Sequence, residues 1–347
     1  MVNNKKIMSI LIALTFVSLI SFMIVWLYTY KDLIFNSNNS NNVIPALLSI
    51  TRRRLIQLLA IIVSVVLIAV SSLSFQTITN NRILTPSILG FEAIFVITQT
   101  LLIAIFGSMS AFIAIDYLNF IITTTVMIGI VFLMFMLVLR KNKNNIILLL
   151  LFGLVVTSLA SSLTHFIQTF MHPEDFLNVI SITNVNINAI NENLVFYSVP
   201  LLIVLLIGFV LEHKYYDVIA LGESSAINLG VNYNKKVNKT LIYITISVAI
   251  STALVGPLAF LGLIAVNGAK EIFKTNKHKT LMLASSLIAI ILIVGGQVVL
   301  ELIKFKTPVT VIINFIGGAY LLLILVKENK RWLKLKIFLK HMVKNKC

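Results

Sequence analysis

The stretch Ile219–Lys239, IALGESSAINLGVNYNKKVNK, interrupts the second half of a chain that is otherwise almost entirely lipid-soluble. Gly222 and Gly230 bracket the seven residues Glu223–Leu229, enough for about two helical turns, roughly 10 Å long. Glu223 stands at the head of that helix, where a carboxylate meets the positive end of the backbone dipole. Gly230 supplies a left-handed stop, and Lys235, Lys236 and Lys239 follow. Ser224, Ser225 and Ala226 give one side of the helix low relief, a surface over which another protein can close. A short knobbed helix between two membrane spans is what a soluble motor needs to push on a membrane subunit. The plainer reading is a polar loop with an incidental helix.

Composition around this stretch settles the class. Of 347 residues 59% are hydrophobic and 12% charged, and the mean hydropathy is +1.00. Runs of ~20 apolar residues, each long enough for ~30 Å of hydrocarbon, recur along the chain. The expected fold is therefore all-α and polytopic, a single transmembrane domain over residues 1–347, with no segment long enough for a fused catalytic domain. Ten spans are predicted: Ile7–Tyr30, Leu55–Phe75, Phe91–Ile115, Tyr117–Leu139, Ile146–Phe170, Leu194–Leu211, Thr240–Val255, Leu258–Phe273, Thr280–Leu302 and Val309–Val326. Trp26, Tyr28 and Tyr30 mark the first as a retained anchor ending at an interface. Asn36–Asn42, NSNNSNN, reads as a flexible loop. His172–Asn193 is too polar to span and reads as one or two short helices on the membrane face. The tail 327–347, with Trp332 and Phe338 among lysines, suits an anionic leaflet.

The net charge of +16 reports orientation and not nucleic acid. With both ends in the cytoplasm, 22 of the 28 lysines and arginines fall inside, together with the loop 212–239. The exceptions are Lys31, Arg52, Arg53, Arg54, Lys304 and Lys306. The three adjacent arginines either receive an acidic docking partner or anchor the second span to lipid phosphates. Chemistry of other kinds finds little support. The five histidines show no ligand spacing, the single cysteine is Cys347, and no G-x-x-x-x-G-K-[ST] loop exists, so neither metal nor cofactor is expected. His165 and Gln168, one turn apart in the fifth span, line a pathway or hydrogen-bond between helices. His278 reads as solvated, and Glu301 as a surface partner of Lys304.

Four ordered stretches carry a resemblance to the permeases of binding-protein-dependent iron-chelate and vitamin B12 importers. Ala220, Leu221, Gly222, Glu223, Ser225, Ala226, Leu229 and Gly230 fit the pattern L-A-L-G-E-x-S-A-x-x-L-G of their cytoplasmic coupling segment. Asn81–Gly90, NRILTPSILG, is similar to N-P-L-A-x-P-x-x-L-G, with Arg82 at the usual proline. Gly256–Lys270, GPLAFLGLIAVNGAK, is similar to G-x-I-x-F-V-G-L-V-V-P-H-x-x-R, with Val266 and Asn267 for Pro-His. Pro308–Tyr320 keeps the spacing of P-x-G…G-A-P. FQTITNNRILTPSILG, ISTALVGPLAFLGL and VIINFIGG look most like permeases for catecholate siderophores of the petrobactin class.

The resemblance implies a type II ABC importer architecture in a bacterial plasma membrane, carrying a ferric siderophore inward. Its implied partners are a second permease chain, two ATP-binding cassette subunits and an extracytoplasmic siderophore-binding protein. ATP hydrolysis then belongs to the partners. Residues 221–226, 229 and 230 are implied in coupling, and the cluster Arg52–Arg54 with Lys304 and Lys306 in docking. Asn184 and Asn188 in the polar segment, with Asn314, Gly317 and Gly318 in the last span, read as lining the path, because they make poor lipid-facing surface. Haem or a cobalamin-like ligand is the alternative cargo. An ion-driven carrier lacks an intramembrane carboxylate relay, and an intramembrane enzyme lacks a polar cluster.

Overall fold

Hydrocarbon offers no water to a peptide group, so a lipid-soluble run must close its own backbone hydrogen bonds, and here each does so as a helix. A computed structural model describes residues 4–29, 40–141, 146–184, 192–303, 311–323 and 326. In chain order the helices are α1 (Asn4–Thr29), α2 (Ser40–Ile78), α3 (Phe91–Phe106), α4 (Ala111–Ala114), α5 (Asp116–Lys141), α6 (Ile146–Phe170) and α7 (Pro173–Thr183). They continue as α8 (Glu192–Ile219), α9 (Glu223–Asn228), α10 (Tyr233–Val255), α11 (Leu261–Phe273), α12 (His278–Ile303) and α13 (Val311–Leu323). Among the described residues seven helices are long and apolar enough to cross a membrane, namely α1, α2, α5, α6, α8, α10 and α12.

The departures from expectation are local. The third span ends at Phe106, because Gly107 takes φ +81° and the chain turns into the single turn α4 instead of running on to Ile115. The eighth is a helix of only 13 residues that starts at Leu261, four residues beyond Pro257. Its length, roughly 20 Å, is short of a bilayer core. Ser40–Asn42, expected in the flexible loop, begin α2. Helices α8 and α10 run further than expected, which puts Glu212 and Asp217 on the first and Lys235, Lys236 and Lys239 on the second. Trp26 and Tyr30, Asn188 and the tail 327–347 lie outside what the structure describes in side-chain detail.

Helix α2 is the axis of the bundle, packed by α8, α10, α11 and α12. Small residues allow the close approach. A Cβ on Gly262 of α11 would fall 2.0 Å from Ser72 Oγ of α2, and Ser251 Oγ of α10 donates to the Ser64 carbonyl at 3.0 Å. Helices α1, α5, α6 and α8 form the periphery. On α6, Leu151, Val155, Leu159, Leu163, Phe166 and Phe170 are all exposed at near-helical spacing, a stripe suited to lipid or to another apolar helix. The motif NRILTPSILG folds as a loop closed by a 3-10 turn, Pro86–Leu89. That turn rests on Gly153 of α6, where a Cβ would meet the Ile88 carbonyl oxygen at 2.8 Å.

Candidate functional site

Between α8 and α10 the chain reverses through two glycines with positive φ, Gly222 at +98° and Gly230 at +80°. Nothing lies within 4 Å of a Cβ added at either, so their requirement is for the backbone conformation and not for space. The helix between them is α9, one residue shorter than expected, with Leu229 as its cap. Ala226 N donates to the Gly222 carbonyl at 3.0 Å and Val231 N to the Ala226 carbonyl at 3.0 Å, which closes the loop on itself.

The two sides of α9 differ. Ala226 is fully buried, in the same apolar cluster as Ile78, Ile219 and Tyr233. This corrects the reading of Ala226 as part of a low-relief outer surface: it is the residue by which the loop grips its own subunit. Glu223, Ser224, Ser225 and Gly230 are exposed, Gly222 half-buried, and Leu221, Ile227 and Leu229 project at 63%, 54% and 63% exposure. Three apolar side chains on a hydrophilic loop make the knob.

The knob stands on a braced base. Glu212 of α8, itself buried, accepts from Lys236 Nζ at 2.6 Å and Lys239 Nζ at 2.7 Å, both on α10. Lys236 also sits 3.4 Å over the Tyr215 ring. One turn on, Asp217 Oδ1 accepts the His278 amide at 2.7 Å and lies 2.7 Å from His278 Nδ1. His278 Nε2 is 2.7 Å from Thr77 Oγ1 of α2. His278 is therefore buried between three helices and not solvated as its basic surroundings suggested. Neither network is visible in sequence, since the partners lie 24 to 201 residues apart.

At the far end of α2 the arginines separate. Arg54 is buried: it pairs with Glu301 of α12, donates to Gln57 Oε1 at 3.2 Å and stacks 3.5 Å over the Phe22 ring of α1. That removes Arg54 from a docking surface and gives Glu301 an intramolecular partner other than Lys304. Arg52 pairs with Glu192 of α8 at 2.7 Å yet stays 70% exposed, and Arg53 is exposed. Lys304 and Lys306 fall outside the described residues.

The residues read as pathway-lining do not converge. His165 is exposed on the outer stripe of α6, while Gln168 turns inward, its Nε2 at 3.5 Å from Thr100 Oγ1. Asn184 caps α7 and lines a cavity of about 240 Å³ with Gln99, Asp116 and Asn119. The polar pair behind that cavity escaped sequence reasoning. Gln99 Nε2 donates to Asn119 Oδ1 at 2.8 Å and Asn119 Nδ2 returns to Gln99 Oε1 at 3.0 Å. The signal was one amide side chain in each of two apolar runs, the pattern of a bond between helices. On α13, Gly317 is buried against α11, where a Cβ would come 2.2 Å from Phe260 Cβ, whereas Gly318 faces open space. Asn314 is half-buried one turn below, its Oδ1 without a partner among the described residues.

Comparison with known proteins completes the description. The profile of the FecCD transport family matches residues 7–327. Over 283 residues the chain is 42% identical to the petrobactin import system permease protein YclO of Bacillus subtilis (strain 168), covering 81% of this chain and 89% of that one. It is 26% identical to the petrobactin import system permease protein FatC of Bacillus anthracis, covering 82% and 80%. Among solved structures, an inward-facing metal-chelate type ABC transporter superposes with a TM-score of 0.75, over 94% of this chain and 100% of that one, at 18% identity.

Proposed function

The chain belongs to the FecCD transport family, and from that premise we propose that it is the permease subunit of an ABC importer that brings a catecholate ferric siderophore of the petrobactin class into the cytoplasm. The observation that carries the reading is the 42% identity to a petrobactin import permease over most of both chains. The form of the α8–α10 loop supports it: an exposed apolar knob on a base braced by ion pairs is suited to receive force from outside the subunit.

A ferric siderophore is too large and polar to dissolve in lipid. A secreted binding protein delivers it to the outer rim, where Arg53 and the exposed Arg52 offer positive charge. Two permease chains enclose the path, and each presents α9 to an ATPase subunit. Nucleotide binding and hydrolysis open and close the ATPases, and Leu221, Ile227 and Leu229 receive that motion. Glu212, Lys236 and Lys239 make the ends of α8 and α10 move with the loop. Direction arises because each nucleotide state exposes the path to one side only. In this reading both termini and the loop 212–239 are cytoplasmic, which the excess of lysine and arginine on that side supports.

The test is reconstitution of the whole complex in proteoliposomes with ferric petrobactin, haem and cobalamin offered in turn. Iron uptake should require ATP and the binding protein, and should survive collapse of the proton gradient. Uptake of haem or cobalamin alone would change the cargo. Uptake without ATP, lost with the proton gradient, would overturn the class.

A further inference from the structure

At the end of the bundle that carries α9 there is a second, larger cavity, of about 540 Å³. Besides His278 and Leu281 of α12, four separate elements build its wall. The tail of α2 contributes Gln76, the loop after it Arg82, the end of α11 Lys270 and Lys274, and the end of α8 Asp217 and Leu221. Three cations thus face one carboxylate, and Asp217 is already taken up by the backbone amide and ring of His278.

Two donor side chains on this wall hold one another in place. Lys270 Nζ donates to Gln76 Oε1 at 2.8 Å, which fixes the amide so that its other end is the donor Nε2. Gln76 is only 3% exposed, and its Nε2 has no partner among the described residues although the side chain lines the cavity. A buried, unmet N–H is costly, and an acceptor oxygen brought to this wall would meet it. Arg82 is positioned from behind: Asn267 Nδ2 donates to its carbonyl at 3.0 Å, and Asn81 Oδ1 accepts from Ile83 N at 2.9 Å. A guanidinium fork, two ammonium groups and an oriented amide form a donor set for an acceptor-only ligand of several negative charges.

We propose that this cavity binds a phosphate-bearing molecule, its phosphate oxygens held by Gln76, Arg82, Lys270 and Lys274. The volume exceeds that of a single phosphate and falls within the range of small-molecule pockets, roughly 300–1,000 Å³. Leu221 forms part of the wall and immediately precedes Gly222, so an occupant touches the root of the coupling loop. The proposal rests on the function above only for placing the cavity in the cytoplasm; the binding itself is tested without transport.

The full-length chain is incorporated in nanodiscs of phosphatidylcholine at fixed ionic strength, and pyrophosphate binding is measured by calorimetry. Saturable binding is expected for the wild type. Arg82→Gln should weaken it roughly tenfold or more, as loss of one charge-assisted contact does, and Lys270→Gln likewise. Lys235→Gln, which removes an exposed charge outside the cavity, should change it less than twofold. Arg82 is exposed, so its variant stays folded and keeps the test decisive even if Lys270→Gln does not. Repeating the titration with phosphatidylglycerol in the disc separates the sources. Loss of pyrophosphate binding there identifies a lipid headgroup as the occupant, and unchanged binding identifies a soluble phosphate. Binding that is absent, or equally reduced by Lys235→Gln and Arg82→Gln, overturns the proposal.

Discussion

Ala226 and Ile227 are neighbours on a helix of six residues, yet one is fully buried and the other is 54% exposed. The two should fail differently. Ile227→Asp should leave the thermal stability of the purified chain within about 0.5 kcal/mol, as surface changes do, while it uncouples ATP hydrolysis from uptake in the assembled importer. Ala226→Arg should lower stability instead, by at least about 1–3 kcal/mol of overpacking with the cost of an unpaired charge added. A melting curve and a transport assay on both variants check this; normal uptake by Ile227→Asp removes α9 from coupling. The arginines divide in the same way. Arg54→Ala leaves Glu301 without its cation and Phe22 without its stacked plane. It should cost about 3 kcal/mol, the lower end for breaking a buried pair, because Glu301 is 21% exposed. Adding Glu301→Ala should restore part of that loss. Arg53→Glu should weaken binding-protein docking, with a shallower salt dependence.

At the scale of elements, adjacent glycines in α13 separate packing from open space. Gly317→Leu should disrupt the α11–α13 contact, since even a Cβ would overlap Phe260, whereas Gly318→Leu has room. The first variant is expected to lose stability by more than about 1–3 kcal/mol, and the second to fold normally; thermal melting of both decides. The sequence treats this pair alike, and the reason is general to the chain. Length and apolarity place helices well, so α5, α6 and α12 end within two residues of expectation. Facing is harder, because in a bilayer the lipid side and the packed side of a helix are both apolar, and no amphipathic stripe tells them apart. Gly317 and His165 were left open for that reason, whereas Ala226 was misplaced because a small residue on a short helix fits an outer surface and a tight contact equally well. Polar residues were legible as exceptions to the pattern, but their partners were not: Arg54 meets Glu301 across 247 positions. The breaks at Gly107 and before Leu261 depend on a glycine φ and on the lost proline N–H, local facts that an apolar run hides.

For the molecule as a whole, the polar anchors measure out a membrane. Arg54 and Thr77 on α2 are 23 residues apart, as are His278 and Glu301 on α12, and Glu192 and Asp217 on α8 are 25 apart. At 1.5 Å per residue these separations are roughly 35 Å, slightly more than a hydrocarbon core of about 30 Å. The members of each set meet across helices: Arg54 with Glu301 and Arg52 with Glu192 at one end, Thr77 and Asp217 with His278 at the other. The bundle is thus tied at both surfaces by polar contacts and packed between them by small residues. The arginine cluster and α9 consequently belong to opposite faces, and the proposed orientation, with α9 in the cytoplasm, is open to a direct test. Cys347 is the single cysteine, so Cys347→Ser gives a background free of thiols. In that background Arg53→Cys should react with a membrane-impermeant thiol reagent in intact cells, because Arg53 is exposed at the end opposite α9, outside in the proposed orientation. Ile227→Cys should react only after the membrane is opened, and co-expressed ATPase subunits should then shield it, since the same side chain that is bare on the isolated chain becomes the contact in the importer. Labelling of Ile227→Cys in intact cells would invert the orientation and with it the direction of transport; labelling unaffected by the ATPases would leave the orientation standing and remove the knob from the interface.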